Sequence, residues 1–421
     1  MTTKTEVDLI IENANELLTI AGGSQKPLLG TQMKELGIIR NGGLAADKGR
    51  IVAVGKTENI SRQFRSRESL DATGKVVMPG FVDAHTHLIF AGSREDEFEM
   101  RLQGASYMEI LKKGGGILKT VRDTRKASRT ELVESCKKTL KAMLEHGTTT
   151  VEAKSGYGLN MKDEIKCLEV IKTLNEKQPV EVVPTFLGAH AIPPEYKDNA
   201  DDYVALIIEE MIPTIANRKL AEFCDVFCEK GVFGIEQSRK ILLNGKKHGL
   251  KPKLHVDELT NLGGTELAAE IGAVSAEHLL FASDKGIKML AKKGVIAVLL
   301  PGAAFSLMVG RYADARKMIE FNVPVALGTD FNPSCWIENL QTIIALACYQ
   351  MRMTTAEAIV ATTVNAAHAI NRAKDVGSLE VGKKADVLVL DVPNHKFLGY
   401  HYGVNLIDKV LKNGKLVVEF S

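Results

Sequence analysis

The sequence predicts an α/β fold, a TIM-like (β/α)8 barrel with a small β-sandwich domain formed from both termini. Eight strand-like runs alternate with helical segments through the middle of the chain. Both ends carry only short alternating strands, and histidines gather at the carboxyl ends of the predicted barrel strands. Eight successive β-then-α units favour a closed parallel barrel over an open doubly wound sheet.

The predicted barrel strands are short apolar or β-branched runs. The first begins at Phe81, after the break made by Pro79 and Gly80, and the others span residues 147–152, 180–187, 224–228, 251–255, 273–278, 296–300 and 323–328. Between them, segments such as 131–145 and 163–177 carry apolar residues at intervals of three and four, which is typical of helices packed on a core.

The two ends of the chain share a sequence pattern that differs from the middle. At both ends, short alternating apolar runs are separated by Gly and Asn. Examples are residues 8–11 and 50–55 near the start, and 385–390 and 415–418 near the end. Such runs indicate strands and tight turns. We therefore expect one sandwich domain, with residues 1–78 as its N-terminal part and 377–421 as its C-terminal part, around a barrel at 79–376.

Charge and composition exclude several classes of partner. The chain of 421 residues has 54 basic and 52 acidic side chains, so its net charge of +2 gives no basis for binding nucleic acid or a membrane surface. We find no long apolar run and no signal peptide. Six scattered cysteines do not form a disulfide framework, and Cys224 and Cys228 lie within one predicted strand as buried structural residues. We expect a cytoplasmic protein.

One stretch, Phe81–His87, places two histidines side by side. Residues two apart on a strand face the same way, so His85 and His87 each offer an imidazole nitrogen to one metal ion. Asp83 shares that side and either lies beneath the pair or orients one ring. Taken alone, a His-x-His pattern fits two polar residues at a strand end equally well.

The other strand ends favour the metal site, because chemistry in such barrels lies at the carboxyl ends of the strands. Five of the ten histidines and one aspartate fall at these ends: His85, His87, His190, His255, His278 and Asp330. Three imidazoles and a carboxylate from His85, His87, His255 and Asp330 would hold a catalytic ion and leave one position for water. A bound ion lowers the pKa of that water to about 7, so the predicted chemistry is hydrolysis. The predicted proton-transfer residues are His278, Asp330 and Glu258.

These motifs resemble those of the amidohydrolase superfamily. The likeness spans nearly the whole chain and is carried by Met78–His87, His255, His278, Gly328–Asp330 and Gly377–Val389. Within the superfamily the sequence is most similar to the imidazolonepropionase family, through four separate stretches: Phe90–Arg94, Gly114–Ile117, Lys154–Leu159 and His255–Glu258.

The resemblance implies hydrolysis of the cyclic amide of 4-imidazolone-5-propanoate to N-formimidoyl-L-glutamate, in histidine degradation. It also implies one zinc or iron ion per chain, a homodimer, and a pocket for this small molecule lined by Arg94, Tyr157, His190, Glu258, Asn332, Ser334 and Cys335. The residue types suit the substrate. An arginine holds a propanoate with two parallel bonds, Glu258 accepts from a ring N–H, Tyr157 adds a hydroxyl, and His190 offers a donor to the ring oxygen.

Other interpretations stay open at this point. A one-metal aminohydrolase, a deaminase of a nucleobase such as guanine or cytosine, also uses His-x-His, two later histidines and an Asp, but has no need for an arginine aimed at a carboxylate. A catalytically silent barrel predicts a broken ligand set. Arg94 also fits a surface ion pair with Glu95 or Asp96. Because Lys154 and Lys230 do not match a metal-bridging lysine, we expect one metal, with both as structural or rim charges.

Overall fold

The computed structural model describes residues 4–105, 109 and 113–420. Within these residues no helix is both long enough and apolar enough to span a lipid bilayer. Seven strands precede the barrel: β1 (Thr5–Ala14), β2 (Glu16–Leu18), β3 (Ile38–Ile39), β4 (Gly42–Asp47), β5 (Arg50–Lys56), β6 (Phe64–Asp71) and β7 (Val76–Pro79).

Eight parallel strands form the barrel, and each pairs with the next one in chain order. They are β8 (Phe81–Asp83), β9 (Thr148–Lys154), β10 (Glu181–Ala189), β11 (Phe223–Cys228), β12 (Lys251–Val256), β13 (Ser275–His278), β14 (Ile296–Leu299) and β15 (Val325–Leu327). Every predicted barrel strand is present, which confirms the α/β barrel.

The barrel closes between the segments that follow β8 and β15. Thr86 pairs with Phe331 in a parallel bridge. The Asp330 N–H donates to the His85 carbonyl at 3.0 Å, and the His87 N–H donates to the Phe331 carbonyl at 2.9 Å. Three predicted metal ligands therefore lie on the two segments whose backbones close the barrel.

Regular strand pairing in β8 ends at Asp83, four residues earlier than the sequence predicted. Across the closure β15 has only three residues and Asp330 has a left-handed φ of 52°, so the bridge between Thr86 and Phe331 does not extend into a regular ladder. Close approach here requires Gly328, because a Cβ atom at that position would lie 3.0 Å from the His85 Cβ. His85 and His87 consequently occupy an extended continuation of the strand.

Three further strands, β16 (Val387–Leu390), β17 (Ile407–Lys412) and β18 (Lys415–Glu419), complete two terminal sheets. One sheet has the order β5-β4-β1-β6, and the other has the order β18-β17-β16-β7-β2-β3. The two ends of the chain meet where Met78 of β7 lies opposite Leu388 of β16. Side chains from both sheets, including Leu44 and Val389, pack into one buried cluster. The sandwich from both termini is confirmed, whereas its boundaries at residues 78 and 376 stay predictions.

Helices connect many of the strands, and most of them surround the barrel. They are α1 (Thr57–Gln63), α2 (Glu95–Leu102), α3 (Ile117–Lys126), α4 (Arg129–Glu145), α5 (Met161–Lys177), α6 (Ala200–Leu206), α7 (Ile212–Asn217), α8 (Ile235–Lys247), α9 (Gly264–Ile271), α10 (Asp284–Lys293), α11 (Pro301–Ser306), α12 (Ala315–Glu320), α13 (Leu340–Met351), α14 (Thr355–Ala361), α15 (Val364–Ala369) and α16 (Phe397–Tyr400). A π-helical segment, Ile207–Met211, joins α6 to α7, and two 3₁₀ segments lie at Gly30–Lys34 and Pro194–Tyr196.

The two helices predicted from apolar spacing each begin two residues earlier than the predicted segments. Ser128 caps α4 by accepting from the Glu131 N–H at 3.2 Å, and the Glu131 side chain accepts from the Ser128 N–H at 2.8 Å. Asn160 caps α5 by accepting from the Asp163 N–H at 2.9 Å. The caps set starting points that apolar spacing alone does not reveal.

Candidate active site

The four predicted metal ligands converge at the mouth of the barrel. His87 Nε2 lies 3.3 Å from both His85 Nε2 and His255 Nε2. Asp330 Oδ1 lies 3.4 Å from the Nε2 atoms of His85 and His87. Ligand atoms at the corners of a tetrahedron around Zn²⁺, with bonds of about 2.0–2.1 Å, are separated by about 3.3–3.4 Å. These separations match that spacing, so the cluster suits a metal ion. Asp330 also groups with His85 and His278, whose ligand atoms lie within 4.8 Å of one another.

The protonation of the rings supports the same conclusion. His85 Nδ1 lies 2.6 Å from Glu277 Oε2, and His255 Nδ1 lies 3.1 Å from Asp225 Oδ2. Carboxylates only accept, so each contact favours a hydrogen on Nδ1 and leaves Nε2 facing the cluster. Acceptor atoms packed this closely repel one another unless a cation lies among them. The chain thus carries His and Asp residues placed to bind a metal ion.

The pKa shifts of the cluster differ from one side chain to the next. Burial and the Lys154 ammonium oppose protonation of His85, but Glu277 and Asp330 outweigh them and raise its pKa to about 9. Burial lowers the pKa of His255 to about 3, against the attraction of Asp225. Burial opposes the charge on Asp330, yet the close contacts with His85 and then His87 hold its pKa well below the usual range.

A buried charge network lies directly beneath the cluster and fixes its orientation. Lys154 Nζ lies 2.8 Å from Glu152 Oε1, 2.8 Å from Asp225 Oδ2 and 2.9 Å from Glu277 Oε2. Lys253 Nζ adds a contact of 3.0 Å to Glu277 Oε1. All five side chains are fully buried. Burial opposes the Lys154 charge, but Asp225, Glu152 and Glu277 together raise its pKa well above the usual value.

The two strand-end lysines, Lys154 and Lys230, lie in different environments. Lys154 is a structural charge rather than a rim charge, and its ammonium is held by three carboxylates. Lys230 is exposed. A lysine that bridges two metals must offer its side chain to the ions, whereas the Lys154 ammonium is paired with carboxylates. The expectation of one metal stays a prediction.

Asp83 lies next to the ligands without contacting their imidazole rings. Its carboxylate accepts from the Thr329 N–H at 3.0 Å, from the Thr329 hydroxyl at 2.6 Å and from the His85 N–H at 3.3 Å. Burial raises its pKa to about 6, with Thr329 opposing. Asp83 therefore ties the end of β8 to the end of β15, which agrees with a supporting position beneath the histidine pair.

A cavity of about 570 Å³ lies above the metal-type cluster. Three of the four predicted ligands border it, and His85 lies deeper, with its side chain fully buried. All of the predicted substrate-binding and proton-transfer residues line this one cavity: Arg94, Tyr157, His190, Glu258, His278, Asp330, Asn332, Ser334 and Cys335.

Arg94 and Tyr157 lie together in this cavity. Burial raises the pKa of Tyr157, and the Arg94 guanidinium opposes that rise through its charge and a hydrogen bond. The Arg94 Nε atom is buried and lacks a hydrogen-bond partner among the described residues. Glu95 accepts from Ser93 instead. The surface ion pair considered for Arg94 is not formed within the described part of the chain.

His190 is oriented differently from the sequence-based interpretation. Its Nδ1 lies 3.1 Å from the Gly156 carbonyl, and its ring is stacked on His87 with centroids 4.7 Å apart. A carbonyl only accepts, so the hydrogen of the neutral ring is on Nδ1 and Nε2 is an acceptor. Burial, followed by repulsion from His87, lowers its pKa well below the usual value. The neutral His190 ring therefore has its acceptor at Nε2.

His278 and Glu258 form a second pair at the cavity. His278 Nε2 lies 3.7 Å from Glu258 Oε2, and burial raises the pKa of Glu258 while His278 opposes this. His278 has a φ of 72° and Asp330 a φ of 52°. Left-handed conformations cost non-glycine residues about 1–3 kcal/mol, and such strain clusters at functional sites.

The segment after β15 forms a tight turn at the edge of the cavity. The Asn332 side chain donates to the Asp330 carbonyl at 2.7 Å and accepts from the Ser334 N–H at 2.8 Å. Cys335 is buried, and its thiol lies 3.5 Å from the Thr329 carbonyl. Asn332 and Cys335 thus stabilise the turn as well as lining the cavity.

Sequence reasoning did not assign several residues that shape the site. Arg101 and Glu97 also line the cavity, on α2. Within the buried network, Lys253 stands two residues before the ligand His255, so both face the same way along the strand. Charged residues inside otherwise apolar strands were the available signal, because such groups are buried only when they are paired.

Comparisons with known proteins agree with this geometry. One amidohydrolase family model matches residues 239–417, and a second matches residues 68–113. An imidazolonepropionase of Geobacillus sp. (strain WCH70) is 57% identical, with 98% of each chain covered. One from Alkaliphilus metalliredigens (strain QYMF) is 52% identical, again with 98% of each chain covered.

Solved structures show the same fold at low identity. An adenosine deaminase from Xanthomonas campestris with bound zinc has a TM-score of 0.73 at 19% identity, covering 99% of this chain and 94% of that one. A 5-methylcytosine deaminase from Klebsiella pneumoniae has a TM-score of 0.74 at 14% identity, covering 98% of each chain. These likenesses concern the fold alone. The identity to full-length relatives decides the matter: the chain belongs to the imidazolonepropionase family of the amidohydrolases.

Proposed function

We propose that the three imidazoles and Asp330 at the floor of the cavity form the hydrolytic centre for opening 4-imidazolone-5-propanoate to N-formimidoyl-L-glutamate. As a member of its family the chain is a hydrolase that acts on a C–N bond of this cyclic amide. The observation that carries the proposal is the position of this cluster beneath a cavity bordered by Arg94. A hydrolytic centre and a carboxylate-binding group are thereby brought to one substrate.

His85, His87, His255 and Asp330 would hold one ion, which we propose to be zinc or iron. Three nitrogen ligands and one carboxylate suit both metals. When bound, such an ion supplies a Lewis acid that makes water a nucleophile near neutral pH. Glu277 and Asp225, which lie against Nδ1 of His85 and His255, would favour the tautomer that leaves Nε2 for the ion.

The remaining cavity residues would position the substrate. Arg94 would bind the propanoate, with Tyr157 adding a hydroxyl to the same carboxylate. The Nε2 acceptor of His190 and the Glu258 carboxylate would each accept a ring N–H. Asn332, Ser334 and Cys335 would border the substrate on the side of the turn after β15. These contacts select a ring that carries N–H donors and an anionic chain.

Asp330, His278 and Glu258 would carry out the proton transfers. Attack of water forms a C–O bond at the ring carbonyl carbon, the ring C–N bond breaks, and the leaving nitrogen takes up a proton. Asp330 would take the proton of the attacking water. The pair of His278 and Glu258 at the same cavity would stabilise the oxygen on which charge develops and pass a proton to the leaving nitrogen.

The oligomeric state, the cellular location and the domain boundaries belong to the same proposal. We infer a homodimer, from the family resemblance, and a cytoplasmic location, which the six free cysteines support. We also infer domain boundaries after residues 78 and 376, where the chain passes between sandwich and barrel.

A spectroscopic assay of the loss of 4-imidazolone-5-propanoate tests the assignment. Metal-replete protein should turn over this compound and should leave guanine and cytosine unchanged. Turnover of a nucleobase, together with no loss of the imidazolone, would replace the assignment with the deaminase alternative while leaving the fold and family intact.

A further inference from the structure

We propose that Arg101 is a second substrate-binding residue, which joins Arg94 in holding the propanoate chain. Selection of an anionic side chain would then depend on two guanidinium groups rather than one. This inference rests on the proposed function, since it assigns a further residue to the same substrate.

The position of Arg101 follows from the helix that carries it. Arg94 stands at the N-cap position of α2, and Arg101 lies in the last turn of this helix, seven residues later. Seven residues are close to two helical turns, about 10 Å along the axis, so the two side chains share one side of the helix. Both line the cavity that also contains His87 and Asp330.

Within the part of the chain that the structure describes, Arg94 and Arg101 each keep one donor without a partner, although Arg94 also hydrogen-bonds with Tyr157. Their Nε atoms are buried and have no hydrogen-bond partner among the described residues. Glu97, the carboxylate that attracts Arg101, accepts a hydrogen bond of 2.9 Å from the Gly116 N–H. Burial, followed by repulsion from Arg94, lowers the pKa of Arg101. Two like charges that border one cavity favour an anion between them.

Other arginines of the chain show what ordinary pairing looks like. Arg316 donates to both carboxylate oxygens of Glu357 at 2.9 and 3.0 Å. Arg372 donates to Glu181 at 2.6 Å and to Glu222 at 2.9 Å. Arg316 and Arg372 are thus paired within the chain, whereas Arg94 and Arg101 each keep an Nε donor for a group that comes from outside.

The simplest alternative gives Arg101 a packing role, in which its aliphatic part covers the cavity wall and its charge is incidental. The two roles differ in what a change at this position does. A packing role predicts equal losses for charged and neutral ligands. A carboxylate-binding role predicts a loss confined to ligands that carry the carboxylate.

Binding of imidazole-4-propanoate, an aromatic analogue without the ring amide, separates the two roles. Calorimetry would compare this compound with the neutral 4-propylimidazole on metal-replete wild type, Arg101→Met and Arg101→Lys. Met keeps the length of the side chain and removes the charge. Arg62→Met is the matched control, because Arg62 is an exposed residue of α1 in the terminal part of the chain.

We expect Arg101→Met to weaken binding of the carboxylate analogue by about tenfold or more, to leave binding of the neutral compound unchanged, and to raise KM by a similar factor with little change in kcat. Arg101→Lys should recover part of the loss, and Arg62→Met should match wild type. Equal affinity of Arg101→Met and wild type for the carboxylate analogue, or equal losses for both ligands, would overturn the proposal.

The outcomes also separate this inference from the proposed function. If wild type turns over the imidazolone and Arg101→Met binds the carboxylate analogue as tightly as wild type, only the role of Arg101 is rejected. Wild type that neither turns over the imidazolone nor binds the carboxylate analogue would reject both.

Discussion

His87 is the residue at which metal binding and substrate binding meet. Its Nε2 lies 3.3 Å from the Nε2 atoms of His85 and His255, while the face of its ring is stacked on His190. The stacking fixes the plane of both rings and so directs the His190 acceptor into the cavity. A change in one ring therefore alters both the ligand set and the substrate contact.

Asp330 carries the chemical step in the proposed mechanism, as both a ligand and a base. Asp330→Asn keeps the size of the side chain but removes the negative charge and most of its basicity. We expect kcat to fall by about 10³-fold or more, measured under saturating substrate. Retention of more than a tenth of the wild-type kcat would show that another group takes the proton.

Arg94 is expected to affect binding rather than chemistry. Losing a hydrogen bond to a charged group costs about 1.5–3 kcal/mol, so Arg94→Ala should raise KM by about 10- to 100-fold with a small effect on kcat. Steady-state kinetics on the imidazolone measure both constants. Equal, small effects of Arg94→Ala and Asp330→Asn would show that the pocket is assigned wrongly.

At the residue scale, the sequence predicted the chemical types and missed some orientations. Strand-end positions identified His85, His87, His255 and Asp330, because side-chain alternation follows directly from strand geometry. The tautomer of His190 was not predictable, since it depends on the Gly156 carbonyl, more than thirty positions away in the sequence.

Strands β11 and β13 supply the carboxylates that hold the ligand rings. Glu277 contacts His85 Nδ1, and Glu277→Gln replaces this strong acceptor with an amide. We expect metal affinity to fall by about 10- to 100-fold, measured by competition with a chromogenic chelator. Binding of Glu277→Gln with wild-type affinity would show that the ring orientation does not depend on this carboxylate.

Glu152→Gln is the matched control for that measurement. Glu152 belongs to the same buried network, through Lys154 and Lys253, but does not contact a ligand ring. This variant should lower the free energy of unfolding and change metal affinity by less than about threefold, since the ring acceptors stay in place. A larger loss of affinity in Glu152→Gln than in Glu277→Gln would reverse the assignment of roles.

Helix α14 begins at a buried ion pair whose contribution depends on pH. Glu357 accepts from the Thr354 N–H at 2.7 Å and from Arg316 at 2.9 and 3.0 Å. Burial opposes its charge, but Arg316 and Thr354 lower its pKa below the ordinary value of 4.5. The stabilisation is therefore fully present above pH 4.5 and is lost as the pH falls through the lowered pKa.

We expect Glu357→Gln to reduce the free energy of unfolding by about 1–3 kcal/mol at pH 7, with a smaller difference from wild type in acid. Urea unfolding at pH 7 and near pH 4 measures the change. Glu134→Gln, at an exposed pair with Lys137, is the control and should differ from wild type by less than about 1 kcal/mol. An equal difference for Glu357→Gln at both pH values would contradict the ionic contribution.

At the scale of elements, periodicity predicted all eight barrel strands and the helices of 131–145 and 163–177. It did not predict where β8 ends. That end depends on pairing with the segment after β15, about 245 residues later, which local sequence does not encode. Helix starts differed for a local reason, since Ser128 and Asn160 act as caps.

The molecule as a whole joins its terminal sandwich to the first two barrel strands. Gly80 N–H donates to the Asp386 carbonyl at 2.9 Å, just before β8. Lys412 donates to the Thr149 carbonyl of β9 at 2.9 Å and to the Asp386 carboxylate at 2.6 Å. The start of the chain, its end and the strand that leads to His85 are thereby held in one arrangement.

The sequence predicted a sandwich formed from both termini because both ends share one pattern of short strands that differs from the middle of the chain. It did not predict how the strands divide between the sheets. One sheet contains only strands from the start of the chain, and the other mixes both ends. Short strands with similar apolar patterns carry little information about their neighbours, which depend on packing across the whole domain.

The central claim is that one metal ion, held by His85, His87, His255 and Asp330, is needed for hydrolysis of the imidazolone. The direct measurement is a titration of chelator-treated protein with Zn²⁺ or Fe²⁺, in which turnover and bound metal are followed together. Turnover should be absent at the start and should rise to its maximum at one ion per chain. Full turnover without added metal, or a maximum reached only at two ions per chain, would contradict the account.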